Sequence, residues 1–237
     1  MSASGGTPRS GTMSEPQVRA MFDRISGFYD VMNSVMTAGL HHRWRARAAD
    51  LAALEPGNSA LDVACGTGDL AIELARLVGT GGEVIGSDFS EEMLERARAK
   101  APGLAWEWGN ALELPYASGR FDAATVGFGA RNFSDLERGL AEMARVVKPG
   151  GRVVVLEITT PRKPPLSTIY RVWLDHVVPL IGRLTGEQEA YTYLPSSVRR
   201  FPGPEGLAAA MQRAGLSDIR WVLTAGGIIA LHVGAKR

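Results

Sequence analysis

The spacing of apolar positions changes along the chain. From residue 15 to 54 it is helical, with Val18, Met21, Phe22 and Ile25 on one stripe, a break at Gly27, then Tyr29 and a basic helix from near His41. Past residue 59 short apolar or β-branched runs take over, at 60–64, 83–86, 104–108, 123–128 and 152–158. Helical patterns at 70–78, 91–100 and 135–147 separate several of them, and Ser90 and Ser134 are predicted to cap two of these helices before acidic first turns. Lys148-Pro149-Gly150-Gly151 turns the chain from the last of these helices into the fifth strand. Such alternation predicts a doubly wound, mostly parallel α/β sheet. It stops after Thr159: residues 160–203 are studded with proline and read as a second helical cap beside the one at 15–54. A helix near 205–214, a strand, Gly226-Gly227 and a last strand to Val233 predict an antiparallel pair at the sheet edge, seven strands in all.

Length and composition narrow the reading. The 237 residues suit one large α/β domain, expected over 15–237. Residues 1–14 are small, polar and Gly/Ser-rich, and are expected to be a disordered tail, with Met13 an alternative start. A formal net charge of +1, with acidic residues interspersed among the arginines, disfavours a nucleic-acid partner. The single cysteine, Cys65, precludes an internal disulfide; with no apolar segment at the N-terminus, it points to the cytoplasm.

The strongest local signal is Leu61-Asp62-Val63-Ala64-Cys65-Gly66-Thr67-Gly68-Asp69-Leu70, where the first strand meets a helix. Gly66 and Gly68 would let the backbone approach a ligand. The dinucleotide pattern is broken, since Ala71 takes the third glycine position and Asp62 stands just before the loop. That carboxylate repels a pyrophosphate and attracts the ammonium of a methionine moiety. Asp88, twenty residues after Gly68, ends the second strand, where a carboxylate accepts the hydroxyls of a ribose. The pair selects an adenosyl ligand without a diphosphate. Asn110, in Gly109-Asn110-Ala111 after the third strand, offers a donor and an acceptor to a base edge.

The chain resembles the UbiE/MenG family of quinone C-methyltransferases. The resemblance is carried by Tyr29-Asp30-Val31-Met32-Asn33, the Gly-rich loop, Gly109-Asn110-Ala111 with Leu114-Pro115-Tyr116, and Phe128-Gly129-Ala130-Arg131-Asn132. Tyr191, Tyr193-Leu194, Ser197, Phe201-Pro202, Thr224-Ala225-Gly226-Gly227 and His232 continue it to the C-terminus. It implies a Rossmann-like class I methyltransferase fold and S-adenosyl-L-methionine as cofactor, with Thr67, Asp88, Asn110 and Ala111 as contacts. Gly127 stands where many relatives carry Ser near the cofactor, leaving only a backbone contact. The implied reaction is methylation of a ring carbon in a prenylated hydroquinone, demethylmenaquinol or a ubiquinone precursor.

A hydroquinone carbon becomes nucleophilic once a neighbouring hydroxyl, with a pKa of about 10, loses its proton. Arg131 is the candidate to stabilise the phenolate, from the loop at the carboxyl end of the fourth strand. Asn132 and Tyr29 are candidates to orient ring oxygens. The alternative role for Arg131 is an ion pair with an acidic neighbour; that for Tyr29 is a core aromatic. The four histidines, at 41, 42, 176 and 232, lack the spacing of a metal site. An apolar stretch at 169–181 is a candidate wall for a prenyl tail, with peripheral contact to a membrane surface expected, or simply a helix packed on the core. Competing functions are methylation of another small phenol or lipid and non-catalytic binding of an adenosyl ligand.

Overall fold

The structure is a computed structural model that describes residues 13–37, 39–185 and 188–237, so residues 1–12 of the expected tail lie outside it. Three helices come first, α1 (Glu15–Ile25), α2 (Tyr29–Thr37) and α3 (Leu40–Leu51). The alternating region follows: β1 (Ser59–Val63), α4 (Asp69–Val78), β2 (Glu83–Asp88), α5 (Glu91–Lys100), β3 (Ala105–Trp108), β4 (Phe121–Gly127), α6 (Leu136–Val146) and β5 (Val147–Ile158). A continuous helical run crosses back over the sheet: α7 (Leu166–Val172), a π-helical stretch Trp173–Val177, and α8 (Val178–Thr185). Then come α9 (Gln188–Arg200), α10 (Pro204–Arg213), β6 (Leu216–Thr224) and β7 (Ile229–Lys236).

The seven strands form one sheet in the order β3-β2-β1-β4-β5-β7-β6. All pairings are parallel except β5–β7 and β6–β7. Alternation along each strand sends side chains to opposite faces. On β5, Val153 and Val155 join one core with Leu140 and Met143 of α6 and Leu207 and Met211 of α10. Val154 and Leu156 join another with Ala48 of α3, Leu70 and Leu74 of α4 and Leu94 of α5. A strand buried on both faces reads as an unbroken apolar run, which is what residues 153–156 show.

Two local readings need correction. The cap of α6 is Asp135, whose side chain accepts the Arg138 N–H at 3.0 Å, and not Ser134. Ser90 caps α5 as expected, accepting from Met93 N at 3.2 Å. The Lys148–Gly151 turn lies inside β5, since Val147 already pairs with Phe121 before the register shifts to Ala123↔Arg152. Gly151 is required there, because a Cβ would sit 2.4 Å from the Asp122 carbonyl oxygen.

The two helical caps meet above the carboxyl ends of the parallel strands. Val18, Met21 and Ile25 of α1 pack with Ala190 and Tyr193 of α9. Tyr170, Leu174 and Val178 pack with Tyr191 and Val198. Ser14 starts α1 through a reciprocal capping box with Gln17, a side-chain–backbone exchange that fixes where the chain enters the cap.

Candidate active site

The Gly-rich loop and the ends of β1 and β2 build a polar crevice. Asp62 is buried at the end of β1, and its Oδ1 accepts the Thr125 hydroxyl of β4 at 2.7 Å. Its Oδ2 has no partner, and burial raises its pKa to about 7. Asp88 closes β2 with both oxygens engaged, Oδ2 by Gly66 N at 2.8 Å and Oδ1 by Ser90 N at 2.9 Å. Burial lifts its pKa to about 6, against those two bonds. Each oxygen keeps a further lone pair. The crevice continues past Phe89 and Met93 to Gly109, Asn110, Ala111 and Leu112, and Gly127 floors it at the end of β4.

Asp62, Gly66, Thr67, Asp88, Asn110, Ala111 and Gly127 thus converge on one crevice, as does Asn132. Gly68 does not line it. Its φ of +87° makes it the left-handed N-cap of α4, and a Cβ there would sit 2.3 Å from the Trp106 ring. Two of the other side chains brace the cap. Thr67 donates to Asp30 of α2 at 2.5 Å, and the Asn110 amide donates to Glu15 of α1 at 2.7 Å while its oxygen accepts Leu112 N.

The donor set fits S-adenosylmethionine. A buried carboxylate oxygen without a partner suits an ammonium. Asp88 has acceptor capacity left for a diol, and an apolar slot beside Asn110 suits a purine. Arg45, which lines the crevice and pairs with Asp69 at 3.3 Å, supplies positive charge for a carboxylate.

Beside the crevice lies an apolar cavity of about 490 Å³, lined by α1, α2 and α3 on one side and by α7, the π-helical stretch and α9 on the other. Phe22, Tyr29 and Phe128 line both spaces, so these three side chains form the junction. Phe128 holds a φ of +62°, unusual for a bulky residue, and its ring meets Trp44 edge-on and the Arg45 guanidinium at 5.5 Å. Strain of this kind persists only where the surroundings over-determine it.

Arg131 lines the cavity and not the crevice. It sits on a 3₁₀ turn, Ala130–Asn132, just past β4. Its guanidinium bonds the Phe128 carbonyl and pairs with Glu157 Oε1 at 2.8 Å, the two side chains being 8% and 1% exposed. The ion-pair alternative weighed for Arg131 is therefore realised. Even so, Nε is buried without an acceptor, leaving a donor to spare. Burial works to lower the guanidinium's pKa, but Glu157, with Tyr29 and Tyr193, holds it above the ordinary value. Asn132 Oδ1 accepts the Tyr193 hydroxyl at 3.1 Å, which ties the turn to α9.

Two of the four histidines, His41 and His232, are committed elsewhere. His41 lines the cavity, but its Nε2 meets Ser34 Oγ at 3.0 Å and its Nδ1 faces the Arg45 guanidinium. Arginine can only donate, so Nδ1 accepts and Nε2 carries the proton. Burial first, then Arg45, lowers its pKa to about 4. His41, His42 and Asp69 bring ligand atoms within 4.8 Å of one another, but Arg45 contacts both His41 and Asp69 and opposes a cation there. His232 is buried in the sheet against Trp221 and bonds the Pro204 carbonyl oxygen at 2.9 Å.

A model of the ubiE/COQ5 methyltransferase family matches residues 11–236. The chain belongs to that family. A demethylmenaquinone methyltransferase of Thermus thermophilus is 46% identical over 221 residues, covering 91% of this chain and 100% of the relative. One from Deinococcus radiodurans is 45% identical, covering 93% and 92%, and one from Desulfitobacterium hafniense is 41% identical, covering 92% and 89%. Among solved structures, the cyclase SpnF superposes with a TM-score of 0.69 at 20% identity, covering 95% and 97% of the two chains. A SAM-dependent methyltransferase from Aquifex aeolicus gives 0.56 at 17%, covering 95% and 100%. At such identities these two share the fold alone, and a cyclase among them illustrates that the fold does not fix the reaction.

The crevice is also lined by residues outside the candidate set of the sequence. Glu15 and Arg45 line it from helical segments that carry no ligand motif, together with Phe22 of the apolar stripe and Asp69 at the end of the Gly-rich loop. Glu157 had a visible signal: it is the one charged residue in the apolar run 153–158, where an unpaired carboxylate would be too costly to bury. The cofactor of this methyltransferase family is S-adenosylmethionine, which the crevice's donor set fits.

Proposed function

We propose that this methyltransferase methylates a ring carbon of demethylmenaquinol, the reduced form of the quinone named in its relatives. The observation that carries the reading is the junction itself: a polar crevice fitted to an adenosyl ligand opens, past Phe22, Tyr29 and Phe128, onto an apolar cavity fitted to a prenylated ring. Bound in the crevice, S-adenosylmethionine supplies an electrophilic methyl group on a sulfonium. Asp62 holds the ammonium through its spare Oδ2, Asp88 the ribose hydroxyls, Asn110 and Ala111 the adenine edge, and Gly66, Thr67 and Gly127 the backbone walls around it. Apart from Asp62's orphan oxygen, each of these roles rests on position in the crevice.

In the cavity, Arg131 directs its unpaired Nε–H to a ring oxygen. A hydroxyl with a pKa of about 10 ionises more readily beside a fixed guanidinium, and the charge that develops as the ring attacks is stabilised there. Glu157 keeps that guanidinium in one orientation from beneath. Tyr29 donates to ring oxygen from the α2 side, and Asn132, steadied by Tyr193, orients the ring from the crevice side. The walls Met21, Ile25, Met32, Met36, Ile169 and Leu174 take the first isoprenoid units, with methionines adapting to an irregular chain. No helix among the described residues is long and apolar enough to cross a membrane. A membrane-borne substrate would be met by peripheral contact.

Transfer of labelled methyl into demethylmenaquinol, with the methylated naphthoquinol identified by mass spectrometry, tests the reading. Turnover is expected with the hydroquinone and not with the oxidised quinone, since only the reduced ring has a hydroxyl to ionise. Equal rates with both under strict exclusion of reductant would overturn it, and transfer only to tail-free phenols would shift the substrate to a smaller ring.

A further inference from the structure

We infer that the outer side of the α7–α8 rod docks on an anionic lipid bilayer and sets the mouth of the apolar cavity against it. This rests on the proposed prenylated substrate for its purpose but not for its evidence. Three of the cavity's large apolar lining residues reach the surface: Leu40, Ile169 and Trp173 line it and are 42%, 61% and 37% exposed. Ile169, Val172 and Trp173 follow at i, i+3 and i+4, so they lie on one side of the rod. Val172 is 50% exposed and Leu180, further along, 53%. A monomer's large apolar side chains rarely cluster in the open around a cavity mouth without a partner.

Charge distinguishes a bilayer from a second apolar protein face. The chain as a whole carries a formal net charge of +1. Residues 162–200 contain Arg162, Lys163, Arg171, Arg183, Arg199 and Arg200 against Asp175, Glu187 and Glu189, so the positive excess is concentrated on the segment that bears the apolar face. Arg199 is matched by Asp175 and Arg162 by Glu205. Lys163, Arg171 and Arg183 are exposed and make no ion pair among the described residues. Arg171 flanks Val172 and Tyr170 directly. Apolar side chains interleaved with uncompensated cations are the composition of an interfacial helix, whose apolar face enters the acyl boundary while Lys and Arg meet anionic headgroups. Docked this way, the cavity would receive a tail from the membrane without exposing it to water.

Co-sedimentation of the full chain with vesicles, in the absence of either substrate, tests this. Binding is expected to vesicles containing phosphatidylglycerol and to weaken with added salt, with little binding to pure phosphatidylcholine. The double variant Arg171→Glu with Arg183→Glu should bind at least about fivefold more weakly per residue changed, and Val172→Glu with Leu180→Glu should abolish binding. None of these four residues lines the cavity or crevice, so melting temperature and methyl transfer to a detergent-dispersed hydroquinone should stay at the wild-type level. Wild-type binding by Val172→Glu with Leu180→Glu, or equal binding to both lipids, would overturn the inference. So would a dimer in the wild type that these substitutions convert to a monomer, which would make the face a self-association surface. Failure of methyl transfer to demethylmenaquinol would overturn the substrate and leave the vesicle result standing.

Discussion

The crevice and the cavity are built by different means. The crevice sets its polar groups, Asp62, Asp88 and the Gly-rich loop, at the carboxyl ends of β1 and β2, anchored in a sheet buried on both faces, with apolar side chains such as Phe89 and Met93 between them. The cavity is walled mainly by long apolar side chains on helices from opposite ends of the chain, closed on the sheet side by Phe128, Arg131, Ile158 and the residues that lead into β7. Polar recognition needs donors and acceptors held to a fraction of an ångström, which a rigid sheet edge provides; a flexible apolar chain needs volume, which packed helices provide. The buried Arg131–Glu157 pair joins the two, since it stands on the sheet but faces the cavity.

The contrast can be broken from the acceptor side with the largest effect. Glu157→Ala leaves a guanidinium buried without its counter-charge, which costs about 3–5 kcal/mol, and thermal or urea unfolding should show it. If the two regions are separable, whatever remains folded should bind S-adenosylmethionine in calorimetry as the wild type does while methyl transfer collapses. A matching loss of cofactor affinity would mean that the pair supports the whole strand edge and not the acceptor site.

From the cofactor side the expected effect is intermediate and depends on pH. Burial raises the Asp62 carboxyl to about 7 in the fold from its ordinary 3.8. Between those values the folded chain keeps a proton that the unfolded chain releases, so stability without cofactor should fall as pH rises through that window. An ammonium partner favours the ionised form, so cofactor affinity should instead strengthen by up to about tenfold per pH unit as pH approaches 7 from below. Asp62→Asn should flatten both slopes and leave the acceptor KM unchanged. Persistence of the affinity slope in the variant would move the ammonium contact away from Asp62, with Asp88, at about 6, the next group to titrate.

How far each region could be read from sequence follows the same division. The crevice is local: Asp62, Gly66 and Thr67 lie within six residues, and Asp88 follows at the spacing that a strand–helix–strand unit imposes. Arg131 was legible for the same reason, standing where a parallel strand delivers its loop. The contacts that hold Arg131 and Asn132 in place were not. Glu157 and Tyr193 matter because the chain folds back, and their contacts with Arg131 and Asn132 span 26 and 61 residues. Gly68 was misread for a physical reason: a left-handed glycine looks the same in sequence whether a ligand or the Trp106 ring occupies the space its side chain would fill.

The smallest effect expected is at the strut between the regions. Tyr193→Phe deletes the hydroxyl that Asn132 accepts, a loss of about 0.5–1.5 kcal/mol. It should appear as a modest fall in kcat with little change in cofactor affinity, because the bond steadies the turn and touches neither ligand directly. A cofactor affinity that falls as much as kcat would place Asn132 among the cofactor contacts instead.

The most direct measurement is the single-turnover rate of Arg131→Lys on demethylmenaquinol, taken with a melting curve on the same preparation. Lysine can still pair with Glu157, so most of the stability should survive, but it lacks the planar fork that serves Glu157, the Phe128 carbonyl and a ring oxygen together. If the guanidinium stabilises charge on the ring oxygen, the rate should fall by about 10²–10³, cofactor affinity should hold, and higher pH should partly restore turnover by ionising the bound hydroxyl. A variant that melts earlier yet turns over at the wild-type rate would contradict this: Arg131 would then serve only as the counter-charge of Glu157.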